Sequence, residues 1–264
     1  MSKPPTIVSV PMPCGSTIEI VAPGSFHIPR VLADGGLKNY EVHSTAAALA
    51  LMERSEGAFY DIGANIGVFS LCVASALRRR CHAYEPFPDA ATVLDELQVR
   101  YQLPIAVHRK GVGQTAGQAQ FYLSDRSDMS NSLNPNFRKH RGVLDVEVTT
   151  LEIELKRDKP AVLKIDTETT EDQVITGGLN QIAHHRPSII VELLNEAIAG
   201  KVRKLLLPLG YRCYAIGGGL RLQELSPIET SLEGDGRNWL FSPNPLDQEF
   251  ADTFNKWRGV LFSI

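Results

Sequence analysis

From residue 58 onward, short apolar runs alternate with longer amphipathic stretches. The runs at 58–62, 81–84, 105–109, 161–165, 188–193 and 211–216 read as strands. Val162-Leu163 and Ile189-Ile190-Val191 carry no polar alternation, as expected of strands buried on both faces. The stretches at 67–77, 89–102, 171–185 and 196–207 read as helices. Alternating β and α elements imply an α/β fold with a mostly parallel sheet and helices on both faces. Residues 119–123 and 146–150 are strand-like, and the polar stretch 124–141 between them is long for a simple connection. Such a stretch is expected to be functional or mobile. Residues 238–241 read as a last strand, antiparallel to its neighbour.

The segment before residue 58 patterns differently. Residues 1–13 read as a loose leader, 17–22 as an extended piece, Gly35-Gly36 as a loop, and 44–53 as a helix with Ser44 as its N-cap. Two units are expected: a leader and short N-terminal cap at 1–57, then the main domain at 58–264.

Composition narrows the function classes. With 264 residues and 43 % hydrophobic content the chain can bury a sizeable core without disulfide or metal staples. Net charge is −3, so binding of nucleic acid through bulk charge is not expected. The basic runs 78–80 and 138–141 read as solvated faces. Cys14, Cys72, Cys81 and Cys213 form no CxxC pair and have no histidine cluster of zinc spacing beside them. They read as free thiols in a reducing compartment, and no metal site is expected. No apolar run has signal-peptide or membrane-span length, so a cytoplasmic protein without membrane contact is expected.

Four motifs carry the candidate chemistry. In the first, a strand ends at Asp61 and a GxxxG turn, Gly63-Ala64-Asn65-Ile66-Gly67, opens a helix. Glycines there let the backbone approach a ligand. The spacing is neither GxGxxG nor a P-loop, and Asp61 would repel a diphosphate. A ligand with a cationic amino group fits better, as in S-adenosylmethionine. A plain packing turn is the simpler alternative for this motif alone. In the second motif, Glu85 ends the next strand 18 residues after Gly67, where nucleotide folds place a carboxylate on ribose hydroxyls. Pro86 and Pro88 stiffen the loop behind it.

The third motif, Lys164-Ile165-Asp166-Thr167-Glu168, ends a strand in carboxylates, where open parallel sheets bind ligands. Asp166 could orient a methyl donor or take a proton from an acceptor hydroxyl. Glu171 and Asp172 read as helix N-terminal charges, with Thr169 or Thr170 as cap. The fourth is Glu192, which ends the following strand and could face the same cleft as a second acid/base group or a metal ligand. His27, His43 and His140 lie in segments that could close over the site, and each reads as an ordinary surface or packing histidine.

In order along the chain stand 61–67, 85–88, Asn131-Ser132-Leu133, 146–151, 163–171, 186–192 and Gly210-Tyr211. Together they resemble the FkbM-type methyltransferases over residues 58–216. The resemblance implies a Rossmann-like class I methyltransferase with a seven-stranded, mostly parallel sheet. It implies S-adenosylmethionine as cofactor and methyl transfer to a hydroxyl of a sugar or secondary metabolite. By position, Asp61, Gly63, Ala64, Asn65 and Gly67 would line the methionine end. Glu85 and Pro86 would meet the ribose, Ser132 would cover the cofactor, and Lys164, Asp166 and Glu192 would stand at the reaction centre. The chain departs from the family at Thr169, where most members carry glycine, and at Leu193, which replaces the histidine of an E-H pair.

Other readings are weighed against this one. A nicotinamide oxidoreductase needs a dinucleotide fingerprint that the GxxxG spacing does not supply. A cofactor-binding module without turnover and an N-methyltransferase of the same fold are the remaining alternatives. Asn134-Pro135-Asn136-Phe137 looks like the box of amine methyltransferases, but it stands before the fourth strand rather than after it and reads as a turn built on Asn-Pro.

Overall fold

The computed structural model describes residues 3–217 and 237–264; residues 218–236, inside the domain expected at 58–264, lie outside it. A hairpin of β1 (Thr6–Pro11) and β2 (Thr17–Ala22) leads into α1 (His27–Gly35) and α2 (Val42–Glu53). Next come β3 (Ala58–Ile62), α3 (Val68–Leu77), β4 (Cys81–Tyr84), α4 (Pro88–Arg100), β5 (Ile105–His108) and the short β6 (Gly111–Val112). An excursion of β7 (Gly117–Ser124) and β8 (His140–Thr149) follows, then α5 (Leu151–Glu154) and β9 (Pro160–Ile165). The chain closes with α6 (Glu171–Thr176), α7 (Leu179–His185), β10 (Ser188–Glu192), α8 (Glu196–Leu206), β11 (Arg212–Ile216), β12 (Asn238–Ser242) and α9 (Gln248–Ser263).

The central sheet has seven strands in the order β11-β12-β10-β9-β3-β4-β5. Every pair from β10 to β5 is parallel, and β12 runs antiparallel to both β10 and β11. This is a Rossmann-like α/β fold, and its antiparallel strand is the one expected at 238–241. Helices cover both faces because the strands are apolar on both. Phe59, Val162 and Ile190 pack with α2, α3 and α9 on one face. Tyr60, Leu163 and Val191 pack with α6, α7 and α8 on the other.

Several expectations need correction. The leader is not loose, since Thr6–Pro11 pairs in register with Thr17–Ala22 and buries Val8 and Val10 in the main core. Ser44 is not a cap, because α2 begins at Val42 behind Glu41, which takes a left-handed conformation, and Ser44 is buried inside the helix. The helix expected at 171–185 is two helices broken at Gly177-Gly178. A side chain at Gly177 would stand 2.2 Å from the Gly113 carbonyl oxygen, so the break lets this segment lie against the β6 loop. Helices α1 and α9 are additions to the reading. In α9, Phe250, Phe254, Trp257 and Leu261 recur at helical spacing and are buried, a periodicity legible in the sequence.

Candidate active site

Strand order reverses at β3: β4 and β5 lie on one side of it, β9 and β10 on the other. Open parallel sheets bind ligands at that switch point, beyond the carboxyl ends of the strands. Register places those ends level. Ile62 pairs with both Tyr84 and Ile165, and Ile165 with Val191. The next residues, Gly63, Glu85, Asp166 and Glu192, therefore emerge together along one rim, and all four line a cavity of about 400 Å³. Asn65 and Pro86 line it too.

The glycine turn is built for close approach. Gly63 sits at φ 80°, and a Cβ there would lie 1.8 Å from the Asp166 carbonyl oxygen. Gly63→Ala is expected to cost about 2–4 kcal/mol through strain and overpacking. Chemical denaturation would measure it, and a loss under 0.5 kcal/mol would refute this close packing. Asn65 follows at φ 50° and closes its turn by accepting a hydrogen bond from the Ile66 N–H. Glu85 binds the turn from the neighbouring strand, accepting from the N–H groups of Asn65 at 2.7 Å and Phe87 at 2.8 Å. Burial pushes its carboxyl up to about 7 against those two hydrogen bonds.

Not every expected residue reaches the cavity. Asp61 lies behind the turn, accepting from the N–H and hydroxyl of Ser70, and burial raises its carboxyl to about 6. It braces the start of α3. Gly67 packs beneath Leu94, and neither it nor Ala64 is part of the lining. Ser132 donates to the carbonyl of Glu168 at 2.7 Å and accepts from Asn134, so its hydroxyl is engaged within the protein. Lys164 is buried beneath the rim. Its ammonium lies 3.2 Å from Asp166 and 3.9 Å from Glu41, and over the Phe69 ring. Burial alone would lower its pKa, but the carboxylates around it outweigh burial and raise it.

At the far end of the rim stands a carboxylate cluster. Oxygens of Asp166, Glu168 and Glu192 lie within 4.8 Å of one another, an arrangement that could hold a metal ion, one of the two roles the sequence leaves open for Glu192. Burial, then the charge of Asp166, pushes Glu192 up to about 10 and Glu168 up to about 9. Both shifts favour the protonated form of these two carboxyls beside Asp166. Glu171 belongs to the turn below: one oxygen accepts from the N–H groups of Thr167 and Thr169. Asp172 pairs with Lys201 at 2.8 Å.

The remaining walls come from the N-terminal region and from the 124–141 stretch, which holds the Asn131-Ser132-Leu133 motif. His27, Tyr40 and Glu41 enter from the N-terminal region, and Asp128, Asn131, Leu133 and Arg138 from the 124–141 stretch. That stretch is ordered by a short turn at Asp128–Ser130 and a bridge between Tyr122 and Ser132. Asn134 accepts from the Asn136 N–H, which makes the Asn-Pro segment the turn expected of it. Asp128 Oδ2 and Asn131 Nδ2 are buried and have no hydrogen-bond partner. Asn131 stands in the Asn131-Ser132-Leu133 motif, whereas for Asp128 only the length of the polar stretch pointed there. His43 and His140 do not line the cavity.

Sheet order and switch point define a Rossmann-like fold with a cavity at its strand ends. The methyltransferase FkbM domain matches residues 61–213, more than half of the chain, and the chain belongs to that family. Solved structures of similar fold include an FkbM methyltransferase from Methylobacillus flagellatus KT, with 16 % identity and a TM-score of 0.44 over 70 % of this chain and 43 % of that chain. Another is a precorrin-6y C5,15-methyltransferase from Geobacter metallireducens GS-15, with 10 % identity and a TM-score of 0.42 over 75 % of this chain and 85 % of that one. A third is an S-adenosylmethionine-dependent O-methyltransferase from Thermotoga maritima, with 11 % identity and a TM-score of 0.39 over 78 % and 66 %. This chain thus spans less than half the length of the first of these structures. Comparison with curated proteins finds no match. Among the described residues, no helix is long and apolar enough to cross a membrane.

Proposed function

We propose that this protein transfers the methyl group of S-adenosylmethionine to a hydroxyl oxygen of a small-molecule acceptor. The observation that carries the reading is the shared rim: the Gly63 turn, Glu85 and the Asp166–Glu192 pair open into one cavity. The walls suit the cofactor. Gly63 and Asn65 bring bare backbone to the methionine end. Glu85 keeps lone pairs for ribose hydroxyls beyond its two backbone bonds. Asp128 Oδ2 and Asn131 Nδ2 supply an unmet acceptor and an unmet donor on the same cavity's wall. Ligand polar atoms would satisfy both, as buried polar groups require.

When bound, S-adenosylmethionine supplies an electrophilic methyl group on a sulfonium. The protein's part is to hold the acceptor oxygen in line with that methyl group at near-attack distance. Asp166 takes the hydroxyl proton as the oxygen–carbon bond forms and the carbon–sulfur bond breaks. Lys164 orients Asp166 from beneath, and Glu192 stands beside it in the carboxylate cluster. Methyl-labelled cofactor supplied with a panel of hydroxylated and amine-bearing acceptors tests the reading. Label is expected on oxygen. Label on nitrogen would replace the hydroxyl acceptor with an amine drawn by the same carboxylate cluster.

A further inference from the structure

The turn after β9 places two successive side-chain-bearing residues in left-handed backbone, Glu168 at φ 55° and Thr169 at φ 83°. A β-branched residue at positive φ is an outlier, maintained only where its surroundings over-determine it. The surroundings here are specific. From below, one Glu171 oxygen accepts from the N–H groups of Thr167 and Thr169. From above, Ser132 Oγ donates to the Glu168 carbonyl at 2.7 Å, and Asn134 Nδ2 donates to Thr169 Oγ1 at 2.8 Å. The Asn134 amide is oriented by its other end, which accepts from the Asn136 N–H. Thr169 itself is buried.

Each side of this clasp carries cavity wall. Asn131 and Leu133 flank Ser132 on the hairpin loop, and Glu168 stands on the turn beside Asp166 and Glu192. A glycine would occupy the left-handed conformation without strain. Threonine at this position keeps the strain and adds the hydroxyl oxygen to which Asn134 Nδ2 donates. We propose that Thr169 is a positioning residue whose hydroxyl clasps the hairpin loop to the carboxylate turn, fixing the Glu168 carboxyl and the Asn131–Leu133 wall in the geometry that receives the cofactor. This inference rests on the function proposed above.

Three substitutions separate the hydroxyl from the strain. Thr169→Ser keeps the hydroxyl, Thr169→Val keeps the shape without it, and Thr169→Gly removes both. Thr169→Val and Asn134→Ala are each expected to weaken S-adenosylhomocysteine binding about three- to tenfold, as loss of one hydrogen bond does. Their combination should bind no more weakly than Asn134→Ala alone, because that variant already removes the bond to Thr169. Thr169→Ser should bind within about twofold of the unaltered protein. Thr169→Gly should melt above Thr169→Val yet bind as weakly, an outcome that a merely structural residue would not give. Hydrogen exchange of the 132–134 amides without ligand should quicken severalfold in Thr169→Val and not in Thr169→Ser. Wild-type affinity and exchange in Thr169→Val, or additive losses in the double variant, would overturn the proposal. If the unaltered protein binds no S-adenosylhomocysteine, the proposed function falls, and the exchange measurement still decides the clasp.

Discussion

Asp166→Asn is expected to lower methyl-transfer turnover by about 10²–10⁴-fold, the range of a lost general base, while S-adenosylhomocysteine affinity stays within about threefold. The substitution is isosteric and keeps the backbone bond from the Asp166 N–H to the Ile62 carbonyl that ties β9 to β3. It removes the carboxylate to which Lys164 donates and beside which Glu192 stands. Lys164 keeps Glu41 at 3.9 Å, so its buried ammonium retains a counter-charge and the fold should survive. Steady-state rates beside a calorimetric titration separate the two effects. Unchanged turnover would show that another group takes the proton, and Glu192 is then the next to substitute.

A second large effect concerns stability against pH. Burial, the first cause in every case, raises Asp61 to about 6, Glu85 and Glu171 to about 7, Glu168 to about 9 and Glu192 to about 10. An unfolded carboxyl releases its proton near pH 4–4.5. Above that range the folded chain binds more protons than the unfolded one, so stability falls as pH rises. The contribution is complete below the unfolded values. It is lost through pH 6–7 for Asp61, Glu85 and Glu171, and through pH 9–10 for the cluster. Each excess proton changes stability by about 1.4 kcal/mol per pH unit. His108, lowered by burial to about 4, works with the opposite sign, but only below about pH 6.5. Denaturant titrations at pH 7 and 8 therefore report mainly on the carboxyls, whereas toward pH 9 the buried thiols of Cys72, Cys81 and Cys213, raised by burial, add a loss of the same sign as unfolded thiols ionise. Glu192→Gln, which keeps the shape without the titration, is expected to gain on the order of 2 kcal/mol at pH 8 and little at pH 4. Stability that stays flat or rises from pH 7 to 9 would contradict a cluster of buried, protonated carboxyls.

Local signals carried much of this architecture in the sequence. The runs at 58–62 and 81–84 match β3 and β4 to the residue because strands apolar on both faces leave no ambiguity of period. Gly63, Asn65, Glu85, Pro86, Asp166 and Glu192 were legible because each stands at a strand end, where a change from apolar to polar residues marks the rim. Asp61 shares that position in the motif, yet register turns its side chain away from the rim toward Ser70, which a linear pattern does not reveal. Ser132 lies between the cavity-lining Asn131 and Leu133, and its own hydroxyl faces the Glu168 carbonyl rather than the cavity. Tyr40, Glu41 and Asp128 reach the cavity through tertiary packing of segments distant in sequence, and no spacing announces them, whereas Asn131 and Leu133 were legible through the Asn131-Ser132-Leu133 motif. The arginine and tyrosine of the last two motifs turn out to form a structural clasp. Tyr211 donates to the Pro187 carbonyl at 2.8 Å, and Arg186 stacks over its ring.

The most direct test of the central claim is a calorimetric titration of S-adenosylhomocysteine into the full chain and into Glu85→Ala. Micromolar binding, weakened at least about tenfold by the substitution, is the expected result. Absence of binding to the unaltered protein would contradict the claim that this rim is a methyl-donor site.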